Sequence, residues 1–283
     1  MRLLITGQEG FTGRHLTHAA QAHGYEVWGL QANLCDAAAL QRELLAINPS
    51  HVIHLAAISA VTHDDYSALY QSNLLGTLHL LEALVRLPKT PSSILLASSA
   101  YVYGPQQALP LSEDLCPHPQ NHYAISKYAM ECLASTYRDR LAIALVRPFN
   151  YTGVGHDDRF VIPKIVQHVA RHASEIELGD LSALREYNDV RDVVQIYCQL
   201  LRAAKPGQMY NLASGRSVSV QMVLDHLEQI TGRALTVKQN PQLLRKQETA
   251  ALVGDPRKLT QTIGPIQWRS LDETLQWMLN AAR

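Results

Sequence analysis

Cysteine is scarce and scattered. Cys35, Cys116, Cys132 and Cys198 are the four in the chain, and none stands in a Cys-x-x-Cys spacing. Neither a zinc cluster nor a disulfide framework is written there, and a reducing compartment is expected. An excess of one charge is missing too. The 25 Lys and Arg balance 25 Asp and Glu, which leaves no bulk field to attract a nucleic-acid backbone. No apolar run approaches the ~18 residues that a membrane span needs. Met1-Arg2 leads straight into Leu3-Leu4-Ile5 without a basic leader or a small-residue cleavage site, so the chain reads as cytoplasmic. Internal repeats and low-complexity tracts are absent. The 13 histidines include His15/His18, His51/His54, His118/His122 and His168/His172, but no His-Glu-x-x-His array joins them to carboxylates, and no metal is expected.

What is present is an ordinary globular composition. Apolar residues are 47% and charged residues 18% of 283, with a mean hydropathy of −0.10. That length suits one large α/β domain or two unequal ones. Short β-like runs at Leu3–Thr6, Tyr25–Leu30, His51–Leu55, Ser93–Ser98 and Ala142–Arg147 alternate with helical spacing at Arg14–His23, Ala37–Ile47, Tyr66–Arg86 and Tyr123–Arg138. Gly24 stands where a helix stop belongs. The alternation predicts a doubly wound parallel sheet of Rossmann type. After Pro148 the pattern loosens around Gly153, Gly155, Pro163, Gly179, Pro206 and Gly207. A smaller C-terminal substrate-binding lobe is placed there. The expected division is a dinucleotide-binding part over 1–150, completed by about 188–212, and a substrate lobe over 151–187 and 213–283.

The strongest local signal is Leu3-Leu4-Ile5-Thr6-Gly7-Gln8-Glu9-Gly10-Phe11-Thr12-Gly13, a strand, a Gly-x-x-Gly-x-x-Gly turn and then a helix. Such glycines allow a tight turn and close backbone approach to a pyrophosphate, which the N–H groups at the helix start then hold. A dinucleotide is therefore expected, although a tight βα turn alone would look similar. The carboxylate that usually ends the second strand is missing from Leu30-Gln31-Ala32-Asn33. No Lys or Arg replaces it, but Arg14 at the start of the first helix is within reach of a 2′-phosphate, which tilts an otherwise open choice between NADP(H) and NAD(H) toward NADPH. Asp36 either caps the next helix or binds adenine.

The chemical signal is Tyr123-Ala124-Ile125-Ser126-Lys127, preceded by Ala97-Ser98-Ser99-Ala100 at a strand end. Tyr and Lys at i and i+4 share a helix face, so the ammonium is expected to lower the phenol pKa from its usual ~10 and make Tyr123 a proton donor. The Ser99 hydroxyl would hydrogen-bond a substrate carbonyl while hydride arrives from a nicotinamide.

At this point the chain resembles the extended, nucleotide-sugar-modifying branch of the short-chain dehydrogenase/reductase superfamily. The resemblance rests on Gly7/Gly10/Gly13, His54-Leu55-Ala56-Ala57, Asn73 in Ser-Asn-Leu-Leu-Gly-Thr, Ser98-Ser99-Ala100-Tyr101-Val102-Tyr103-Gly104, Tyr123/Lys127 and Arg147-Pro148-Phe149-Asn150. It implies that Gly7, Gly10, Phe11, Thr12, Gly13 and Arg14, with Asp36, Leu55, Ala56, Ala57, Tyr123, Lys127 and Pro148, surround the cofactor, and that Asn73 is structural. It implies catalysis by Ser99, Tyr123 and Lys127. Ala100 and Tyr101 stand where the branch's 4,6-dehydratases carry an acid and its epimerase/reductases a cysteine. Hydride and proton transfer machinery remains.

The C-terminal segments Arg147–Gly153, Phe160–Lys164 and Arg185–Asp192 resemble GDP-4-keto-6-deoxymannose reductases and GDP-mannose dehydratases. That resemblance turns Asn150, Lys164 and Arg185 toward a nucleotide diphosphate, and Ser99, Ala100 and Tyr101 toward the sugar. Arg245-Lys246-Gln247-Glu248 echoes the group's Arg-x-x-Glu, with Arg245 on phosphate and Glu248 on ribose; Lys246 replaces the usual Pro. Surface ion pairing is the alternative for Arg185 and Arg245. Asp189 and Asp192 are expected to cap a helix and pair locally. Most histidines are expected at the surface or in packing; His122, directly before Tyr123, is the one placed to touch substrate or tune that phenol, and no catalytic role is assigned to it. The implied activity is NAD(P)H-dependent reduction of a GDP-linked 4-keto-6-deoxyhexose at C4, giving GDP-D-rhamnose or its 6-deoxytalose epimer. The alternatives are a nucleotide-sugar 4-epimerase that retains NAD and a non-catalytic dinucleotide sensor. A homodimer through Tyr66–Arg86 and Tyr123–Arg138 is also implied.

Overall fold

The structure is a computed structural model that describes residues 1–59, 65–244 and 249–282. The first half alternates as expected: β1 (Arg2–Thr6), α1 (Phe11–Ala22), β2 (Glu26–Gly29), α2 (Ala37–Ile47), β3 (His51–His54), α3 (Tyr66–Tyr70), α4 (Gly76–Val85), β4 (Ser93–Ala97), α5 (His122–Ser135) and β5 (Ile143–Pro148). It continues through β6 (Tyr151–Thr152), α6 (Val161–Ala170), β7 (Glu175–Leu178), β8 (Leu184–Arg185), β9 (Asn188–Asp189), α7 (Val190–Ala203) and β10 (Met209–Leu212). The last elements are α8 (Val220–Thr231), β11 (Thr236–Gln239), β12 (Ala251–Leu252), α9 (Arg257–Ile263) and α10 (Leu271–Ala282).

Six strands form one parallel sheet in the order β10-β5-β4-β3-β1-β2. The strand order reverses between β1 and β3, the crevice where doubly wound sheets take ligands. Alternation within each strand separates the two faces. Leu3 and Ile5 of β1 pack with Leu16 and Ala20 of α1 and Val193 and Tyr197 of α7. Leu4 points the other way, to Leu40 and Leu44 of α2, Leu80 and Leu81 of α4 and Met130 of α5. Because helices cover both faces, β1 reads as a continuous apolar run. A separate core of Ile162 and Ile165 on α6, Val223 and Leu227 on α8, and Leu275 and Leu279 on α10 closes over β7. Pairs β7–β11, β8–β12 and β6–β9 complete the C-terminal half.

Two helices differ from the sequence pattern. The first starts at Phe11 rather than Arg14, because Gly13 is accepted inside it for a reason set out below. The long helix over Tyr66–Arg86 is broken: α3 passes through a π-helical turn at Gln71–Leu75 before α4. A π turn adds a residue per turn and re-aims a side chain. Here it aims buried Asn73, whose Oδ1 accepts the Ile58 N–H at 2.8 Å while Nδ2 donates to Ile58 O at 3.1 Å and Ser126 Oγ at 3.0 Å. The loop after β3 is thereby fixed to α5, the structural role implied for Asn73. Among the described residues no helix is long and apolar enough to cross a membrane.

Candidate active site

The glycine-rich turn is set by contact. Gly7 has φ +72°, where a side chain is strained, and a Cβ there would lie 2.9 Å from Ala56 Cα. A Cβ on Gly13 would come within 2.2 Å of the Gly7 carbonyl and 2.5 Å of the Gln8 carbonyl. The turn therefore closes only with bare backbone at both places. Gly10 serves as the N-cap of α1 without a side-chain bond, leaving the first N–H groups of that helix available to an anion. Thr12 Oγ1 and Tyr151 Oη are 2.7 Å apart, and the Phe11 ring stacks on Tyr151 and His156 with centroids 6.0 and 4.4 Å away. Arg14 donates to Glu9 O at 2.6 Å and Gly155 O at 3.2 Å, so its guanidinium is directed toward the segment after β6.

Behind the turn, Ala56 N–H donates to Thr6 Oγ1 at 3.1 Å and Leu55 N–H to Thr6 O at 3.2 Å. Thr6 Oγ1 lies 2.6 Å from His54 Nδ1, and His54 Nε2 lies 2.9 Å from Thr77 Oγ1, which itself donates to Asn73 O at 2.8 Å. With the Thr77 proton spent on Asn73, His54 carries its proton on Nε2 and accepts at Nδ1 from Thr6. Burial, with the Lys127 charge nearby, pushes His54 down to about 3, so the ring stays neutral. The chain holds Leu55, Ala56 and Ala57 at the C-terminal end of β3 beside Gly7. Asp36 caps α2, its Oδ1 accepting from Ala38 and Ala39 N–H at 3.1 and 2.9 Å; of its two readings, the structure displays the cap.

Ser99, Tyr123 and Lys127 come together at the end of β4. All three are buried, at 5%, 8% and 4% exposure. Asn121 caps α5 by accepting Ala124 N–H at 2.9 Å, which starts the helix so that Tyr123 and Lys127 face the sheet. The Ser99 and Tyr123 side chains lie close enough to act on one another electrostatically. Ser99 Oγ also accepts the Tyr101 N–H at 3.2 Å, starting a 3₁₀ turn at Ala100–Tyr103. Tyr101 sets its ring edge toward Tyr123, centroids 6.4 Å apart, and Ala100 is buried beside them. The expected lowering of the phenol pKa is reversed. Burial raises Tyr123 well above the usual tyrosine range, against a smaller opposing effect of the Ser99 side chain. The Lys127 ammonium instead donates to Ala97 O at 2.7 Å. Burial pulls Lys127 down to about 8, with Glu131 opposing.

Sequence reasoning missed Glu131. It lies one turn beyond Lys127, buried, and accepts from Arg147 Nε at 2.9 Å and Nη2 at 2.7 Å and from Ser98 Oγ at 2.5 Å. Arg147 stacks over the Tyr103 ring at 4.6 Å. One carboxylate thus ties α5 to the ends of β4 and β5. The signal that would have found it is the spacing Tyr-x₃-Lys-x₃-Glu on one helix face.

Pro148 ends β5 beside Leu212. Asn150 follows, with its Oδ1 buried and without a hydrogen-bond partner among the described residues. Lys164 on α6 donates to Glu177 O at 2.7 Å. Arg185 is buried, and its Nη1 donates to Leu184 O at 2.8 Å. Its neighbour Glu186, also buried, accepts from the N–H groups of Ser214 at 2.7 Å and Gly254 at 2.8 Å and from Asn188 Nδ2 at 2.9 Å. Arg245 and Glu248 lie outside the described residues. Asp189 caps α7 and pairs with Arg191 at 2.6 Å, as expected. Asp192, in the first turn of α7, pairs instead with distant Arg269 at the entry to α10. His122 stacks on Tyr66, centroids 3.9 Å apart, and lies 3.1 Å from Tyr70 Oη, so the structure engages it with α3. Among the described residues no group of three or more His, Cys, Asp or Glu is arranged to hold a metal.

Similarity to known proteins follows the same geometry. GDP-6-deoxy-D-talose 4-dehydrogenase of Aggregatibacter actinomycetemcomitans is 32% identical over 269 residues, covering 93% of this chain and 92% of that protein. GDP-6-deoxy-D-mannose reductase of Pseudomonas aeruginosa is 35% identical over 279 residues, covering 93% and 91%. The structure of RMD from Pseudomonas aeruginosa complexed with NADPH superimposes with a TM-score of 0.92 at 32% identity, over 99% of this chain and 98% of that one. Residues 3–213 match the NAD dependent epimerase/dehydratase family, and the chain belongs to that family as an NAD(P)-dependent oxidoreductase.

Proposed function

We propose that the protein reduces C4 of a nucleotide-linked 4-keto-6-deoxyhexose with NAD(P)H, converting GDP-4-keto-6-deoxy-D-mannose to GDP-D-rhamnose. The observation that carries this reading is the convergence of Ser99, Tyr123 and Lys127 at the end of β4, on the same sheet edge as the glycine-rich turn after β1. Relatives named for C4 oxidoreduction of GDP-6-deoxyhexoses support the substrate class.

The residues fit a dinucleotide, because the turn has no room for a Cβ at Gly13 and leaves N–H groups free at the start of α1. Gly7, Gly10, Phe11, Thr12 and Gly13 would hold its pyrophosphate, and Leu55, Ala56, Ala57 and Pro148 its nicotinamide half. When bound, the cofactor supplies the hydride. Ser99 Oγ donates a hydrogen bond to the C4 oxygen. Tyr123 Oη, kept protonated by burial, delivers its proton to that oxygen as negative charge develops there. Lys127 Nζ, anchored on Ala97 O, holds the nicotinamide ribose and offsets the phenolate that remains. Asn150 Oδ1 supplies an acceptor for a substrate N–H or O–H, while Lys164 and Arg185 serve the diphosphate by charge-assisted hydrogen bonds. In this reading residues 1–150 with 188–212 bind the cofactor, and 151–187 with 213–283 bind the sugar nucleotide.

NADH and NADPH oxidation in the presence of GDP-4-keto-6-deoxymannose tests the proposal. Turnover is expected in the wild type and a loss of roughly 10²–10⁴-fold in Tyr123→Phe. No oxidation with either cofactor would overturn it. The relative named for 6-deoxytalose favours a second reading, delivery of hydride to the opposite C4 face; the C4 configuration of the isolated product decides between them.

A further inference from the structure

The chain ends β2 without a charged side chain, but the structure brings one there from α2. Glu43 turns its carboxylate back to the strand end. Oε1 accepts the Gln31 N–H at 2.8 Å and Oε2 accepts the Ala32 N–H at 2.6 Å. Asp36 brings a second carboxylate to the start of α2, next along the same connection. From Gln31 to Ala39 there is no Lys or Arg. Arg42, beside Glu43 in sequence, is exposed on α2; Arg2 pairs with Glu26 at the opposite end of β1 and β2. Arg14 is occupied by Glu9 O and Gly155 O. Neutral groups close the remaining side: a Cβ on Gly29 would lie 1.7 Å from Gln8 Oε1, so the Gln8 amide rests on the strand end, donating through Nε2 to Thr17 at 3.1 Å.

A dinucleotide seated on the glycine-rich turn sets its adenosine ribose against the residues just past β2. We infer that Glu43 is a specificity-determining residue of the cofactor site and selects the dinucleotide with a free adenosine 2′-hydroxyl, NADH over NADPH. The inference rests on the dinucleotide reading above and narrows it. A hydroxyl can donate to a carboxylate lone pair left over from the backbone bonds. A 2′-phosphate meets like charge from Glu43 and Asp36, and the two N–H groups that would have bound it are already taken. The work of the missing strand-end acid is done by a residue some ten positions later.

Titration of the full-length protein with NADH and with NADPH, read by nucleotide fluorescence at low salt and without sugar, tests this independently of the substrate. NADH is expected to bind about tenfold or more tightly than NADPH. In Glu43→Gln the gap is expected to narrow several-fold, mainly through tighter NADPH binding. Added salt is expected to narrow it in the wild type, because the discrimination is electrostatic and screened; this arm serves even where the variant does not fold. Equal or tighter binding of NADPH by the wild type, a gap unchanged in folded Glu43→Gln, or a gap indifferent to salt would overturn the role of Glu43 alone. Failure of both nucleotides to bind would overturn the dinucleotide reading and the inference with it.

Discussion

Lys127 is charged where its surroundings disfavour charge. Burial brings it down to about 8, and the Glu131 carboxylate is what opposes a further fall. The ammonium form, which bonds Ala97 O and would hold the ribose, is full below that pH and is lost as pH rises through it. Turnover is therefore expected to fall on the alkaline side with a midpoint near 8, while the Tyr123 phenol, pushed up by burial, stays protonated throughout. Glu131→Gln removes the opposing charge, so the limb moves to lower pH. It also strands the buried Arg147, at about 3–5 kcal/mol of stability. A pH profile of kcat for the two proteins, with denaturant unfolding alongside, checks both; a limb that stays in place would deny Glu131 its part in holding Lys127 charged. Ser99, Tyr123 and Lys127 were legible in the sequence because a helical spacing and a strand end are local features. Glu131, Glu43 and Glu186 were not. Each acts on groups brought to it by other elements, such as Arg147 from β5 or the Gly254 N–H from beyond β12, and a lone Glu in a helix or loop carries no mark of such partners.

At the level of elements, the alternation of strand and helix was readable because the central strands of a doubly wound sheet are apolar on both faces. The breaks were not. Periodicity over Tyr66–Arg86 is continuous, and the π turn that interrupts it answers to Asn73, Ile58 and Ser126 meeting across three segments. The glycine-rich turn lies between these cases: its pattern is local, yet the reason for Gly13 is a distance. Gly13→Ala must move the Gly7 and Gln8 carbonyls or the helix itself, since the new Cβ starts 2.2 Å from the first. A stability loss of about 1–3 kcal/mol is expected from the forced shift. Nucleotide binding is expected to weaken by more than the melting shift explains, because the displaced backbone is the proposed pyrophosphate cradle. Thermal melts with and without NADH separate the two effects. A variant that melts as the wild type and retains the NADH shift would show that the turn tolerates a side chain.

For the whole molecule, a single carboxylate ties distant segments together. Glu186 gathers the Ser214 N–H after β10 and the Gly254 N–H after β12. Tyr66, Leu75 and Ile125 are 49%, 43% and 40% exposed on α3, the π turn and α5, elements that pack against one another. Apolar side chains gathered on adjoining helices are characteristic of a protein interface. A second copy meeting this face through a twofold axis would present the same helices to themselves, the commonest closed arrangement. About 1,200–2,000 Å² in total is what a stable pair requires. Light scattering at micromolar concentration is therefore expected to give twice the 31.5 kDa chain mass. Leu75→Glu, which sets like charges opposite one another across the axis, is expected to return it to one. A wild-type protein that scatters as a single chain would sink the dimer and leave these residues as ordinary exposed side chains.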